Sequence, residues 1–263
     1  LTSIPVNSED MTTETLFPNA SGEVYEYSNG YQAVDEVSPG KAYWVKNTLE
    51  ETIELCGDVV GDTVQLIQGW NLVGVYEQDV ALNNITLEPS GIIDSKIYGF
   101  DSTYYPTTLF ETGEGYWVKA TQSGKMILNL NRNSKSNSNN LIVIEQSGEE
   151  WSTVSIQDSK QRSKQLYIGE MGKKGSYELP PLPPAEVFDV RYSNSKYVKE
   201  INDNGNYLHI SGAEYPIRIT ISGTDVRVKD IIDGTIVNKL LKDGEQLVIN
   251  DKSINKLQLE PVE

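Results

Sequence analysis

Hydrophobic and polar residues alternate in short runs along most of this chain, and turn-forming residues separate the runs. In the segment 24–27, Val-Tyr-Glu-Tyr, successive side chains would point to opposite faces of a strand. The tight-turn signal Ser28-Asn29-Gly30 follows it and predicts a hairpin. No window of a dozen residues free of Gly, Pro and Asn keeps the 3.6-residue period of a helix. The pattern therefore predicts an all-β fold.

The alternating pattern occurs twice. Segments 24–47 and 97–120 align without a gap at a constant offset, which sets Val24 against Ile97, and both contain Tyr-Trp-Val-Lys. At the same offset, the apolar pair Ile53 and Leu55 matches Met126 and Leu128 and predicts a closing strand in each copy. We therefore predict a tandem β-repeat domain over 1–130, with copies at about 1–57 and 69–130. Each copy is too small to bury both faces of its sheet, so we expect the two to pack together, by a pseudo-twofold or in tandem.

The two copies begin differently. Gly-Trp-Asn-Leu at 69–72 opens the second copy, whereas the first copy starts at the equivalent Leu1 without Gly-Trp-Asn before it. We therefore expect the chain to be a piece of a longer protein. An unpaired edge strand at Leu1 would be a template for a neighbouring chain, which would favour a role in assembly.

The second half of the chain predicts a separate β-domain. Residues 131–140 are polar and low in complexity, which is typical of a linker. Nine short apolar or alternating segments follow between 141 and 259, and they predict an immunoglobulin-like β-sandwich over 141–263. Leu-Pro-Pro-Leu-Pro-Pro at 179–184 has the PxxP spacing of a polyproline ligand, but its place between two strands favours a stiff crossover between sheets.

The aromatic pairs of the repeat are the candidate ligand site. In each Tyr-Trp-Val-Lys strand, Tyr43 or Tyr116 faces one side and Trp44 or Trp117 faces the other. If these rings face solvent, they would form a platform on which a sugar stacks. Aromatic residues kept at the same place in both copies are also expected in a core, where they fill the space between sheets.

The charge of the chain limits its partners. The 263 residues carry a net charge of −16, which repels nucleic acids and anionic membrane surfaces. Residues 1–140 contain 19 acidic and 7 basic residues and account for −12 of this charge. No apolar run approaches the length needed for membrane insertion. Clustered acidic residues leave calcium as the one possible cofactor, with Asp203 and Asn204 as candidate ligands, although a β-turn also explains that loop.

The residue types that catalysis needs are scarce. His209 is the only histidine, and it alternates with apolar neighbours as a strand residue does. Cys56 has no histidine near it in sequence, so we expect a buried or strand-end thiol. No nucleophile-elbow motif and no phosphate-binding glycine loop occurs. Because Asp and Glu are plentiful, the sequence leaves open a pair of carboxylates of the kind that hydrolyses glycosidic bonds. We predict no catalytic residues and a protein that is not an enzyme.

Two motifs resemble a known class of module. The pattern Gly-Trp-Asn-Leu with Gly-x-Gly-Tyr-Trp-Val-Lys, and Glu-Leu-Pro-Pro-Leu-Pro-Pro at 178–184 followed by Phe-Asp-Val-Arg at 188–191, resemble C-terminal β-rich modules of large secreted proteins. Those proteins belong to bacteria of the Bacteroidetes, Chlorobi and Ignavibacteria type and often use type IX secretion.

The resemblance implies a non-catalytic structural, assembly or adhesion module of a secreted or cell-surface protein. Its expected partners are other domains of the parent protein or neighbouring copies. The alternative is a glycan- or calcium-binding accessory module of a larger extracellular enzyme.

Overall fold

A computed structural model describes residues 1–47, 52–130, 151–171, 177–200, 207–232 and 234–262. The chain divides into two compact units, Leu1–Ile144 and Glu145–Glu263. Strands make up 48% of the structure and helices 3%, which confirms the all-β fold class. The predicted linker at 131–140 lies outside the described residues.

The first unit consists of short strands with one helical turn in each copy. The helical turns are α1 (Thr13–Leu16) and a 3-10 turn at Leu82–Asn84. The strands are β1 (Thr2–Ser3), β2 (Val24–Tyr27), β3 (Tyr31–Val34), β4 (Ala42–Tyr43), β5 (Thr63–Leu66), β6 (Gly69–Val73), β7 (Val80–Ala81), β8 (Ile85–Glu88), β9 (Ile97–Asp101), β10 (Thr103–Thr107), β11 (Leu109–Phe110), β12 (Tyr116–Ala120) and β13 (Gly124–Leu128).

Each copy of the repeat has its own sheets and its own hydrophobic core. The second copy contains the sheet β10-β9-β12-β6, the sheet β5-β13-β8 and the pair β11-β7, whereas the first contains the pairs β1-β4 and β2-β3. The larger core lies within 64–128 and the smaller within 4–43. The two copies therefore have separate cores and form two subdomains within the first unit.

The same strand pairings occur in both copies. Thr2 pairs with Tyr43 in the first copy, and Val73 pairs with Tyr116 in the second. Tyr43 and Tyr116 are equivalent at the constant offset of the repeat. The offset between Thr2 and Val73 is two residues smaller, so the second copy has two more residues between its paired strands than the first copy has. The same equivalence relates the pair Tyr25–Trp44 to Tyr98–Trp117, and the pair Ala20–Asn47 to Ile93–Ala120.

One strand of the second copy has no counterpart among the described residues of the first. The equivalent residues Thr12 and Ala81 pair with Glu36 and Leu109, which are themselves equivalent at the constant offset. The segment from Ala81 to Ile93 in the second copy is four residues longer than the equivalent segment from Thr12 to Ala20 in the first copy. The strand β8, which is four residues long, lies within the longer segment.

The lack of a counterpart to β8 among the described residues of the first copy corrects the prediction of a closing strand at Ile53 and Leu55. β13 forms between β5 and β8, whereas the matching segment 52–57 of the first copy forms no strand. Ile53 and Leu55 nevertheless pack against the core of the first copy. The apolar alternation therefore marks the buried side chains correctly, but a strand also needs a partner strand, and β8 has no equivalent here.

The N-terminal edge strand is covered on both sides. β1 pairs with β4 on one side, and on the other side Ser3 N–H donates to the Gly113 carbonyl oxygen at 2.7 Å. Thr2 forms a bridge to Glu114. The expected open edge at the start of the chain is therefore occupied by the second copy.

The second unit contains two five-stranded sheets with the orders β17-β15-β14-β19-β22 and β16-β18-β23-β20-β21. Its strands are β14 (Ser152–Gln157), β15 (Ser163–Ile168), β16 (Asp189–Tyr192), β17 (Val198–Lys199), β18 (Tyr207–Ser211), β19 (Ile217–Ser222), β20 (Asp225–Asp230), β21 (Asn238–Leu241), β22 (Gln246–Ile249) and β23 (Lys256–Val262).

The strands of the second unit bury alternate side chains, as a β-sandwich requires. Val154 and Ile156 of β14 and Val226 and Val228 of β20 are all fully buried. His209 lies in β18 as a half-buried strand residue. The Pro-rich segment lies between β15 of one sheet and β16 of the other, which fits a crossover between sheets. The architecture is therefore sandwich-like.

Candidate functional site

The tyrosines of the Tyr-Trp-Val-Lys strands anchor equivalent turns. The Tyr43 hydroxyl accepts a hydrogen bond from Ser38 N–H at 2.7 Å, and the Tyr116 hydroxyl accepts one from Glu111 N–H at 2.8 Å. Both side chains are buried, and burial raises the pKa of Tyr43 to about 12 and raises the pKa of Tyr116 as well. Each tyrosine therefore stays neutral and fixes the turn that precedes its strand.

The tryptophans of the same strands cross from one copy to the other. The Trp44 ring lies 4.7 Å from the ring of Phe100 in β9, and the Trp117 ring lies 4.8 Å from the ring of Tyr27 in β2. Phe100 and Tyr27 occupy equivalent positions, so each copy inserts its tryptophan against the hairpin of the other. A second equivalent ring lies 6.5 Å from each tryptophan, Tyr104 for Trp44 and Tyr31 for Trp117. This exchange is the signature of a pseudo-twofold axis.

Backbone contacts follow the same symmetry. Ser3 N–H donates to the Gly113 carbonyl oxygen at 2.7 Å, and Gly74 N–H donates to the Gly40 carbonyl oxygen at 3.1 Å. Ser3 is equivalent to Gly74, and Gly40 is equivalent to Gly113. Each donor therefore reaches across to the opposite copy, and the axis lies between the two bonds.

Small residues meet at the axis because equivalent positions face each other there. A Cβ added to Gly74 would overlap the Cβ of Ser3, and one added to Gly115 would lie 2.8 Å from the Cβ of Ala42. Gly115 is the equivalent of Ala42. With Ser3 and Ala42 in place, the chain therefore needs glycine at 74 and 115 for the copies to approach this closely.

Gly-Trp-Asn of the second copy supports the aromatic contact, a role that sequence reasoning did not assign. Asn71 Oδ1 accepts a hydrogen bond from Ile67 N–H at 2.9 Å, and its Nδ2 donates to the carbonyl oxygens of Ile67 and Gly69. These bonds fix the turn before Trp70, whose ring lies 6.2 Å from that of Trp117. The motif thus forms a turn and supplies an aromatic ring that packs near Trp117.

Burial of the four candidate ligand residues decides between the two interpretations of the repeat. Trp44 is 7% exposed, Tyr43 1%, and Tyr116 and Trp117 0%. A sugar-stacking platform requires an exposed ring face, and all four of these rings are buried. The platform interpretation is therefore corrected: Trp44 and Trp117 pack between the copies, and Tyr43 and Tyr116 lie in the cores of their own copies.

The candidate calcium ligands Asp203 and Asn204 lie outside the described residues. Among the residues that are described, no group of three or more His, Cys, Asp or Glu side chains is arranged to hold a metal ion. No helix within the same residues is long and apolar enough to cross a membrane.

Cys56 differs from expectation. Its side chain is exposed, and it lies in the segment 52–57, which forms no strand. Its carbonyl oxygen accepts a hydrogen bond from the Ser8 hydroxyl at 2.8 Å, two residues before Asp58 pairs with Asn7. The expected buried thiol is absent because this segment runs along the surface of the first copy.

The second motif of the sequence, Phe-Asp-Val-Arg, holds the Pro-rich crossover. Arg191 and Asp189 form a buried ion pair with N–O distances of 2.6 and 3.0 Å, and Arg191 Nη1 donates to the Pro180 carbonyl oxygen at 2.7 Å. Phe188 is buried under the Arg162 guanidinium, 5.1 Å from the ring centre. The motif thus fixes the crossover against its strand.

Two of the pockets that the described residues form lie in the first unit. One, of about 400 Å³, lies between the copies, and its charged side chains Lys41 and Glu26 are paired with each other at 2.7 Å. The other, of about 330 Å³, lies beside β3 and is called the acidic pocket here. Its lining includes the apolar residues Phe17, Pro18, Ala20, Val24 and Val34 and the acidic residues Glu14, Glu23 and Asp35.

Comparison with protein-family models, curated proteins and solved structures finds no match to this chain.

Proposed function

We propose that this chain is a non-catalytic structural, assembly or adhesion module of a secreted or cell-surface bacterial protein. The observation that carries the proposal is the exchange of Trp44 and Trp117 between the two copies of the repeat. A module that transmits load or spaces other domains must resist separation of its parts, and an exchanged aromatic core gives that resistance.

The energetics support this role. Separating the copies would expose both tryptophans together with the hairpin rings they contact. Aromatic pairs of this kind contribute about 0.5–1.5 kcal/mol each beyond the stabilisation from area burial. Because the contacts are reciprocal, neither copy can detach without breaking both sets. The first unit should therefore yield to force as one body.

The positions of the sequence motifs support the same role. Gly-Trp-Asn, Tyr-Trp-Val-Lys and Phe-Asp-Val-Arg all make packing contacts or hold turns, which agrees with the structural role that the resemblance to C-terminal modules of secreted bacterial proteins implies. A net charge of −16 keeps such a surface soluble and repels anionic surfaces.

Single-molecule force spectroscopy on the full chain, held at its two ends, tests the proposal. We expect residues 2–128 to extend in one step of about 40 nm, since an extended chain spans about 3.5 Å per residue. Trp117→Ala should lower the force of this step, whereas Tyr105→Ala, at an exposed ring, should leave it unchanged. Extension of residues 2–128 in two separate low-force steps, in addition to the step of the second unit, would overturn the proposal.

A further inference from the structure

The strand β3 leaves one edge of its hairpin open. Tyr25 in β2 uses both its N–H and its carbonyl oxygen on Trp44, at 3.0 and 2.9 Å. Backbone bonds alternate in direction along a strand, so the pair of Tyr25 with Ala33 is not hydrogen-bonded, and the Ala33 N–H and carbonyl oxygen point to the outer edge. No strand of the described residues pairs with Ala33 on that side, and the open stretch ends directly after β3, where the Asp35 carbonyl oxygen accepts a hydrogen bond from Thr13 N–H at 2.8 Å. Gln32 and Ala33 are exposed there.

The equivalent edge of the second copy is blocked. The repeat equivalent of Ala33 is Pro106 in β10, which has no N–H to donate. Proline on an outer strand is a common protection against pairing with another chain. Of two equivalent edges, one is protected and the other is open.

The strand β21 is a second open edge, in the second unit. Asp230 N–H donates to the Val237 carbonyl oxygen at 3.0 Å, so the next pair, Lys229 with Asn238, is not hydrogen-bonded. The backbone groups of Asn238 and Leu240 therefore point outward. β21 ends its sheet, and no described strand covers it.

Three exposed isoleucines lie beside β21. Ile231, Ile232 and Ile236 are 51, 61 and 52% exposed, and we call them the isoleucine cluster. The buried Asp230 carboxylate accepts N–H bonds from Ile232, Ile236 and Val237 at 2.6 to 2.7 Å. The cluster is thus a fixed apolar projection, and exposed apolar patches of this kind commonly mark contact sites.

The charges of the two edges are opposite. Lys239 and Lys242 are exposed on and beside β21. The acidic pocket beside β3 carries three exposed carboxylates, Glu14, Glu23 and Asp35. Another outer strand of the second unit, β22, is flanked by Asp243, Glu245 and Asp251 and would be repelled from that pocket.

We infer that β21 of one molecule adds to β3 of a second molecule of this chain, with the isoleucine cluster entering the acidic pocket and the lysines meeting its carboxylates. This inference rests on the proposed structural and assembly function and names its contact. β3 and β21 are different surfaces, so the contact is heterologous, and repetition gives open-ended chains of molecules.

Sedimentation velocity on the full chain tests the contact. We expect the weight-average sedimentation coefficient to rise with protein concentration, and to rise less at 1 M salt than at 0.05 M salt, because salt screens the lysine–carboxylate contacts. Ala33→Pro, which copies the protection at Pro106, and Ile232→Asp should each abolish the rise. Val248→Asp on β22 should leave it unchanged.

A mixing experiment tests the heterologous geometry. Ala33→Pro keeps β21 intact and Ile232→Asp keeps β3 intact, so an equimolar mixture should form dimers and no larger species. A chain that stays monomeric at all concentrations, or variants that associate as the unaltered chain does, would overturn the contact. If only the contact between molecules is wrong, the first unit should still extend in a single step under force. If the proposed function is wrong, that single step should be absent.

Discussion

The Trp44 ring meets the Phe100 ring edge to face at a centroid distance of 4.7 Å, although the two residues belong to different copies of the repeat. The equivalent contact of Trp117 with Tyr27 measures 4.8 Å. The stability of the first unit should therefore depend on contacts between copies as much as on the core of either copy.

Trp117→Ala should lower the free energy of unfolding by about 3–5 kcal/mol, because it removes a fully buried tryptophan and leaves a cavity. Chemical denaturation of the full chain measures this loss. Tyr105→Ala, which removes a 36% exposed ring, is the matched control and should cost far less. Equal losses in the two variants would contradict the buried packing of Trp117 between the copies.

Gly74→Ala should destabilise the first unit by about 1–3 kcal/mol, because the added methyl group overlaps Ser3 at the pseudo-twofold axis. The measurement is the shift in melting temperature. Ser3→Gly removes the atoms that the methyl group meets, so the double variant should recover part of the loss. If the two substitutions are simply additive, Ser3 and Gly74 do not meet as described.

Asp189→Asn should destabilise the second unit by about 3–5 kcal/mol, because it leaves the buried Arg191 guanidinium without its charge partner. Urea denaturation reports the change. Glu260→Gln removes the partner of Lys229 in a pair that is 27–28% exposed, and there we expect less than about 1 kcal/mol. A small effect at Asp189 would mean that Arg191 is not held by this pair.

The Asp230 carboxylate should make stability depend on pH at the acidic end. Backbone N–H bonds, that of Val237 first, hold the pKa of Asp230 below its ordinary value. A carboxyl group with a lowered folded-state pKa stabilises above its unfolded pKa of about 3.9 and loses that contribution as pH falls through the folded value. The melting temperatures of the unaltered chain and of Asp230→Asn should therefore differ at pH 7, and the difference should shrink as the pH falls below about 3.9 and through the folded-state pKa.

A control for the pH prediction is Glu36→Gln, which removes one exposed carboxylate. Its melting temperature should follow that of the unaltered chain from pH 7 downward. A constant gap between Asp230→Asn and the unaltered chain at every pH would show that the Asp230 charge does not contribute.

Calcium separates the structural proposal from the accessory-module alternative. A ligand present at 100 times its dissociation constant stabilises the folded state by about 2.7 kcal/mol. Under the structural proposal we expect millimolar calcium to leave the melting temperature unchanged. A rise would favour the accessory-module alternative, with Asp203 and Asn204 as the candidate ligands.

Sequence pattern predicted which residues of the repeat are equivalent, because Tyr-Trp-Val-Lys recurs at a fixed offset. It did not predict that Trp44 contacts Phe100, since an offset relates positions within copies and leaves open whether copies exchange side chains. The strand expected at Ile53 and Leu55 was wrong for a related reason. Alternation reports which side chains are buried, and the partner strand depends on the four residues that only the second copy has.

The small residues at the axis can be recognised in the sequence when the two copies are aligned. Ser3 aligns with Gly74 and Ala42 aligns with Gly115, so both aligned positions hold small residues in each copy. Close approach of backbones is a common reason for such a pattern. The open edge at Ala33 was less accessible, because the contrast with Pro106 has meaning only once both are known to lie on outer strands.

The contact between Ser3 and Gly74 has a consequence that a dimer of identical halves could not have. In a symmetric homodimer the residue on the axis meets its own copy, so a serine would face a serine and a glycine would face a glycine. A chain that carries both halves can hold a different residue on each side. The two halves can therefore differ while their interface stays closed, and the protected edge at Pro106 beside the open edge at Ala33 is a difference that identical halves could not carry.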